Sequence, residues 1–368
     1  MGGSSNLTRV ILLPVLAAVV YNWLSISPKV DWTRTVYQDG MDHLKCPEHT
    51  TQTMVIFGGT SMLGKYIVDS FVRDKSLCLV NYGRSKCAQC SVNVKGDLRD
   101  TRHVERIVDH FKADTVLTSV KPPLLGIHYK VYIELNLLSM LELIKSAKKH
   151  GVRNFLYVSS IAASSHYINH TMSDESLEQP KFTDYEAPYD VSKRVAEDFL
   201  LAQHEPGIFN TIAIRTSGII GGEGDPYFYF RLPFIVTFNL PAVVDSNYAA
   251  NIGDALVVVF KTLQKNPQLG GQFYYYTGEH NPERMLAEYA AAGSGKPILE
   301  LPIWLLYAVI EWWSWSRWEH NIYTTLDLLR MAVIPQNFDQ SKFHGAFPDF
   351  KPKYTMKQAM VELYGTQN

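Results

Sequence analysis

Residues 55–64 read Val-Ile-Phe-Gly-Gly-Thr-Ser-Met-Leu-Gly. An uncharged apolar run stops at Gly58 and Gly59, and a helical repeat then runs on to Arg73. That is a buried strand passing through a tight turn into a helix. The same alternation continues downstream. Apolar runs at 77–82, 115–119, 154–160 and 211–216 alternate with helical patterns near 101–111, 129–149 and 190–204. Gly151 closes the long helix and Pro206 stops the next. Strands without polar alternation, separated by helices, predict a parallel sheet covered on both faces. The expected fold class is α/β, a Rossmann-type doubly wound parallel sheet at 51–221. A smaller C-terminal substrate-binding portion at 222–368 follows, with a helix at 251–265, a strand at 273–277 and a polar, proline-rich tail from Phe343.

The turn carries chemistry as well as topology. Glycines let the backbone approach a pyrophosphate, whose charge sits at the helix N-terminus. Gly58, Gly59, Ser61, Met62, Leu63 and Gly64 are therefore expected to hold a dinucleotide, with Ser61 where a glycine is usual. A ribose-binding carboxylate should follow about 20 residues on. Instead the chain reads Asn81-Tyr82-Gly83-Arg84-Ser85-Lys86, with no Asp or Glu between Asp74 and Asp97. Arg84 suits a 2′-phosphate, which favours NADP over NAD. Asn81 bonding a 2′-hydroxyl is the counter-reading, so NAD stays as the alternative. Asp97 and Leu98, after the third strand, are expected beside the adenine.

Tyr189 and Lys193 stand four apart at a helix start and so share a face. A phenol has a pKa of about 10. A cation about 4 Å away, at an effective dielectric of ~20, is worth about 4 kcal/mol, or roughly three units. Lys193 is thus expected to bring Tyr189 near neutrality as a proton donor or acceptor. Ser159 and Ser160 end a buried strand about thirty residues earlier.

On these residues the chain resembles an extended short-chain dehydrogenase/reductase, and more closely the 3β-hydroxysteroid dehydrogenase and sterol-4-carboxylate 3-dehydrogenase family. The resemblance covers about residues 53–365. It includes Asn136, the Arg215–Asp225 stretch, and Asn251-Ile252-Gly253-Asp254-Ala255. It implies Ser160, Tyr189 and Lys193 as the catalytic set, with Tyr189 and Lys193 also touching the cofactor. The implied activity is hydride exchange with a secondary alcohol or ketone of a sterol or steroid. Alternatives are reduction of another lipophilic ketone, or an idle dinucleotide-binding sensor or scaffold. The chain departs from the family at Ser61, at Gly83-Arg84, and at Thr118-Ser119-Val120-Lys121, where the family has an HxAA pattern.

Composition bears on partners. Thirty-five basic against 36 acidic residues give a net charge of −1, which argues against a nucleic-acid binder. The uncharged stretch 10–26, flanked by Tyr21 and Trp23, is expected to be an N-terminal membrane anchor (1–28) before a linker (29–50). A cleaved signal peptide or a buried helix is the other reading. Segment 301–318 holds five of the seven tryptophans. It reads either as a helix in the membrane interface or as the wall of an apolar core or pocket. The expected setting is the endoplasmic reticulum membrane, with a lipophilic substrate; a homodimer is compatible.

Four cysteines are too few for a disulfide scaffold. Cys87-Ala88-Gln89-Cys90 could be half a zinc site or a redox pair, but ordinary thiols in a loop are preferred, and no metal is expected. Asn169-His170-Thr171 is a glycosylation acceptor sequence, meaningful only in a lumenal domain. His166 and His170 fall in a substrate-side loop.

Overall fold

A computed structural model describes residues 41, 43–122, 129–185, 187–222, 228–238, 240, 242–305, 308 and 333–365. Its elements in chain order begin with β1 (Gln52–Phe57), α1 (Met62–Phe71), β2 (Leu77–Gly83), β3 (Val92–Lys95), α2 (Thr101–His110) and β4 (Thr115–Thr118). A helical run follows as α3 (Tyr129–Tyr132), a π-helical turn (Ile133–Leu138) and α4 (Ser139–Lys149). Then come β5 (Asn154–Ser160), β6 (His170–Ser173), α5 (Pro188–Leu201), β7 (Asn210–Thr216), β8 (Gly218–Ile220) and β9 (Ile235–Thr237). The remainder is β10 (Val243–Tyr248), α6 (Ala249–Lys265), β11 (Gln272–Tyr275), β12 (Glu279–Pro282), α7 (Glu283–Ser294), β13 (Ile298–Glu300), β14 (Gln336–Phe338), α8 (Ser341–Ala346) and α9 (Met356–Tyr364).

Seven parallel strands form the main sheet in the order β11-β7-β5-β4-β1-β2-β3. The period-2 geometry of a strand sends neighbours to opposite faces. Val55 and Phe57 accordingly join Val104, Ile107, Leu143 and Ala196 on one side. Met54 and Ile56 join Ile67, Phe71, Leu256 and Phe260 on the other. Both faces are buried, which is why β1 shows no polar alternation. The sheet draws on both sides of residue 221, because β11 pairs with β7 and α6 packs on α1. Gly253 permits that helix contact: a Cβ there would lie 2.6 Å from the Tyr66 carbonyl oxygen. A smaller sheet runs β12-β10-β14-β6, with β8 also on β10, and β9 pairs with β13.

The polar, proline-rich tail from Phe343 carries α9, whose start is fixed by a reciprocal cap between Thr355 and Gln358. One expectation is corrected. The cysteines are not ordinary thiols: Cys46 pairs with Cys78 and Cys87 with Cys90. Folding brings the segment ahead of β1 alongside β2, with the Cys46 and Cys78 Cα atoms 5.7 Å apart, inside the range a disulfide spans.

Among the described residues no helix is long and apolar enough to cross a membrane. The expected anchor at 10–26, most of 301–318, and residues 223–225 lie outside the described residues. Of the aromatic segment, Leu301 and Leu305 pack with Leu232 and Val236, whereas Trp304 is 60% exposed.

Candidate active site

The chain leaves β1 for β2 and β3 on one side, and β4 lies on the other. A crevice opens at such a switch point, outside the carboxyl ends of the strands. The glycine turn lies there. Gly58 has φ +91°, open to glycine and strained for other residues. A Cβ on Gly64 would lie 1.9 Å from the Gly58 carbonyl oxygen, so only glycine fits. Ser61 caps α1: its Oγ accepts from the Gly64 N–H at 3.0 Å. Serine at this place therefore serves the helix start, with φ −68°, and needs no glycine backbone. Met62 lies against Gly221, and the Leu63 side chain is in the core, so Leu63 can meet a dinucleotide only through its backbone.

The rim fits a polar ligand. Asn81 Oδ1, Ser119 Oγ, Asn136 Oδ1 and Ser159 Oγ are buried and lack a hydrogen-bond partner among the described residues. Such atoms are costly to leave unpaired. Asn81 Oδ1 and Ser119 Oγ flank the glycine turn, 2.9 Å and 3.2 Å from where Cβ atoms on Gly59 and Gly58 would be. Glycines that keep the approach open, next to unspent polar atoms, are what a dinucleotide needs.

At the adenosine end, Arg84 follows β2 and is exposed. Its charge reaches Asp97. Burial pushes the Asp97 carboxyl up, but Arg99, which donates to it from Nη2 at 2.6 Å and Nε at 3.1 Å, outweighs burial and holds it below the usual range. Leu98 is buried in the core. Asn81 Nδ2 donates to the Ser85 carbonyl and to Asn93 Oδ1, which fixes the loop carrying Arg84.

At the nicotinamide end, Ser160 and Tyr189 meet at the carboxyl end of β5, and Lys193 lies one turn further along α5. Ser160 ends β5, and Tyr189 and Lys193 lie in the first two turns of α5, started by Pro188. The Ser160 hydroxyl hydrogen-bonds the Tyr189 phenol and accepts from the Ala162 N–H at 3.2 Å. Lys193 Nζ donates to the Val158 carbonyl at 3.2 Å and lies 4.7 Å over the Tyr157 ring.

The electrostatics differ from the sequence expectation. Burial pushes the Tyr189 phenol above its usual range; the Ser160 bond only opposes this. Lys193 is itself pushed down to about 7, by burial and then by the charge of Lys121, against the pull of Glu197. A lysine left only partly charged pulls less on a phenol, and burial keeps Tyr189 protonated in the ligand-free chain.

Other groups surround this set, of which Tyr132 and Asp190 gave no signal in the sequence. Tyr132 lays its ring edge-on to Tyr189, centroids 5.8 Å apart. Asn136 sits on the π-helical turn, a feature frequent at functional sites, and donates to Ser192 Oγ at 3.4 Å, which in turn donates to the Tyr189 carbonyl. Asp190 is fully buried and accepts from the backbone N–H of His166 and pairs with its ring, which gives that histidine a structural task. His170 is buried with Nε2 against the carbonyls of Ser164 and Ser165. Lys121, just past the end of β4, is solvent-exposed, yet desolvation by the protein around it pushes it down to about 8, and its charge reaches Lys193.

Residues 55–292 match the 3-beta hydroxysteroid dehydrogenase/isomerase family. The chain is 24% identical to a 2-alkyl-3-oxoalkanoate reductase of Stenotrophomonas maltophilia, over 68% of this chain and 78% of the relative. It is 22% identical to a decarboxylating sterol-4-alpha-carboxylate 3-dehydrogenase of Candida albicans, over 62% and 71%. Among solved structures, UDP-glucose 4-epimerase of Thermus thermophilus with NAD superposes with a TM-score of 0.62 at 17% identity, covering 85% of this chain and 97% of that one. A dTDP-glucose 4,6-dehydratase of Bacillus anthracis with NAD gives 0.63 at 15%, covering 85% and 96%. At such identities the structural likeness speaks for the fold.

Proposed function

The chain belongs to the 3-beta hydroxysteroid dehydrogenase/isomerase family, and from that premise we propose that it interconverts a secondary alcohol and a ketone on a sterol or steroid at a membrane surface. That it is an NAD(P)-dependent oxidoreductase of the short-chain dehydrogenase/reductase type follows from the family and its relatives. The observation that supports the reading is the Ser160–Tyr189 hydrogen bond, with Lys193 one turn further along α5 and bonded to the Val158 carbonyl of β5. When bound, the nicotinamide supplies the hydride chemistry. Ser160 fixes the substrate oxygen by a hydrogen bond, and Tyr189 gives it a proton in reduction or takes one in oxidation. Lys193 holds the nicotinamide ribose, which replaces its bond to Val158. The buried ring of Tyr132 packs edge-on against the phenol and helps hold it in place.

Lys121 favours a second reading, a substrate with a carboxylate near the reacting carbon. A cation whose charge reaches Lys193 can attract an anion, and a carboxylate appears in the names of both relatives quoted above. Incubating the membrane-bound chain with sterols, steroids and 3-oxo acids, with each dinucleotide in turn, tests both by product mass spectrometry. Turnover confined to small soluble ketones would overturn the first.

Arg84 sets the expected cofactor preference for NADP. Losing a charge-assisted hydrogen bond costs about 1.5–3 kcal/mol, so Arg84→Ala is expected to raise the NADP(H) dissociation constant about 10–100-fold. NAD(H) binding should hardly change. Fluorescence titration reads both, and equal weakening would instead assign Arg84 to holding Asp97.

A further inference from the structure

We propose that this domain folds in an oxidising, glycosylating lumen and that Asn169 carries an N-linked glycan there. The inference is independent of the substrate.

The first observation is the fate of the cysteines: none is free among the described residues. Cys78 lies within β2 with its side chain fully buried, and its partner Cys46 is 32 residues earlier, ahead of β1. Once β2 is in the sheet, no soluble oxidant reaches that sulfur. The bond must form while the chain folds, so the oxidant is present where folding occurs. Two thiols lose two electrons and two protons to a protein disulfide, which leaves as a dithiol. Such bonds persist in secretory compartments and are rare in the cytosol.

The second observation is the acceptor itself. Asn169 is exposed, in the loop that enters β6. The Thr171 hydroxyl donates to Asn169 Oδ1 at 2.9 Å. Asn169 Nδ2 has no hydrogen-bond partner among the described residues. In the transfer, Nδ2 bonds the anomeric carbon of an oligosaccharide carried on a lipid diphosphate. The bond from that carbon to the phosphate oxygen breaks, the lipid diphosphate leaves with the electron pair, and the amide proton goes to a base. The folded chain has room for the product, because β6 is the end strand of the smaller sheet and Met172 on it is 52% exposed. A glycan at Asn169 would cover an edge that otherwise invites strand pairing.

The test uses the full chain made in a eukaryotic secretory cell line. Peptide N-glycosidase should raise the gel mobility of the wild type and of Thr171→Ser, which keeps the acceptor sequence. Asn169→Gln and Thr171→Ala should already run at the deglycosylated position and not shift. Asn6-Leu7-Thr8 is a second acceptor sequence, so a shift that survives Asn169→Gln overturns the assignment, as does no shift at all. A separate arm blocks free thiols in intact cells before denaturation and maps peptides without reduction. A linked Cys46–Cys78 peptide is expected; labelling of all four cysteines overturns the compartment.

Discussion

Tyr189→Phe is expected to lose about 10²–10⁴-fold in turnover, the usual worth of a positioned proton donor. The change removes one oxygen and leaves the ring that packs against Tyr132. Dinucleotide binding, followed by fluorescence titration, should be that of the wild type. Lys193→Ala should lose comparable activity and also weaken dinucleotide binding, because its ammonium is proposed to hold the ribose. The two variants thus separate proton transfer from positioning. Burial keeps the phenol protonated in the ligand-free chain, so it carries the proton that reduction would use, while a bound ligand must make it a stronger acid. A Tyr189→Phe chain within twofold of wild type, on whichever substrate the panel yields, would remove the mechanism.

Glu197→Ala is expected to lower the unfolding free energy by about 3–5 kcal/mol, a large part of the ~5–15 kcal/mol that holds a typical domain together. Glu197 on α5 and Arg215 on β7 are both fully buried, with Nη2 2.6 Å from Oε1 and Nε at 3.1 Å. Arg215 Nη1 also donates to Ser164 Oγ, Gln179 Oε1 and the Tyr275 hydroxyl, and the guanidinium lies 3.5 Å over the Phe273 ring. Removing the carboxylate leaves an uncompensated cation in the interior. Urea unfolding of the detergent-solubilised chain measures the loss. Replacing both members, Glu197→Leu with Arg215→Met, should recover part of it, because two apolar groups leave no buried charge. A loss under about 1 kcal/mol would show that the pair does not anchor α5 to the sheet.

The main sheet was legible because its strands are covered on both faces and read as unbroken apolar runs. The turn at Gly58 was legible because its geometry demands glycine. The smaller sheet was not. Its members are three to six residues long, come from places as distant as 170–173 and 336–338, and include sequences as polar as Glu279-His280-Asn281-Pro282. Such strands are made by the neighbours they meet, not by their own pattern. The cap of α9 was present in the letters, Thr355 with Gln358, but Pro348 and Pro352 just before it drew the eye to a polar, proline-rich tail and not to a helix. Cysteine pairing escaped for a different reason. Spacing along the chain says nothing of the 5.7 Å between Cα atoms that β2 creates. The positions of Tyr189 and Lys193 could be read from their spacing, whereas their protonation could not. The expected Coulomb effect assumed a charged lysine, and burial, together with Lys121, takes much of that charge away.

The strand order also sets a timetable for synthesis. Chains fold as they emerge, N-terminal part first. β1 is made first but sits inside the sheet, and its flank waits until β4 arrives. β7 then presents a bare edge until β11, more than fifty residues later, pairs with it. Parallel pairing of this kind is slow, since each loop must close before its contacts reward it. The nascent chain therefore passes through a stage with an open, apolar strand edge. Truncations ending between 216 and 272 should leave the ribosome as substrates for chaperones, and β11 is the strand that covers the bare edge of the main sheet.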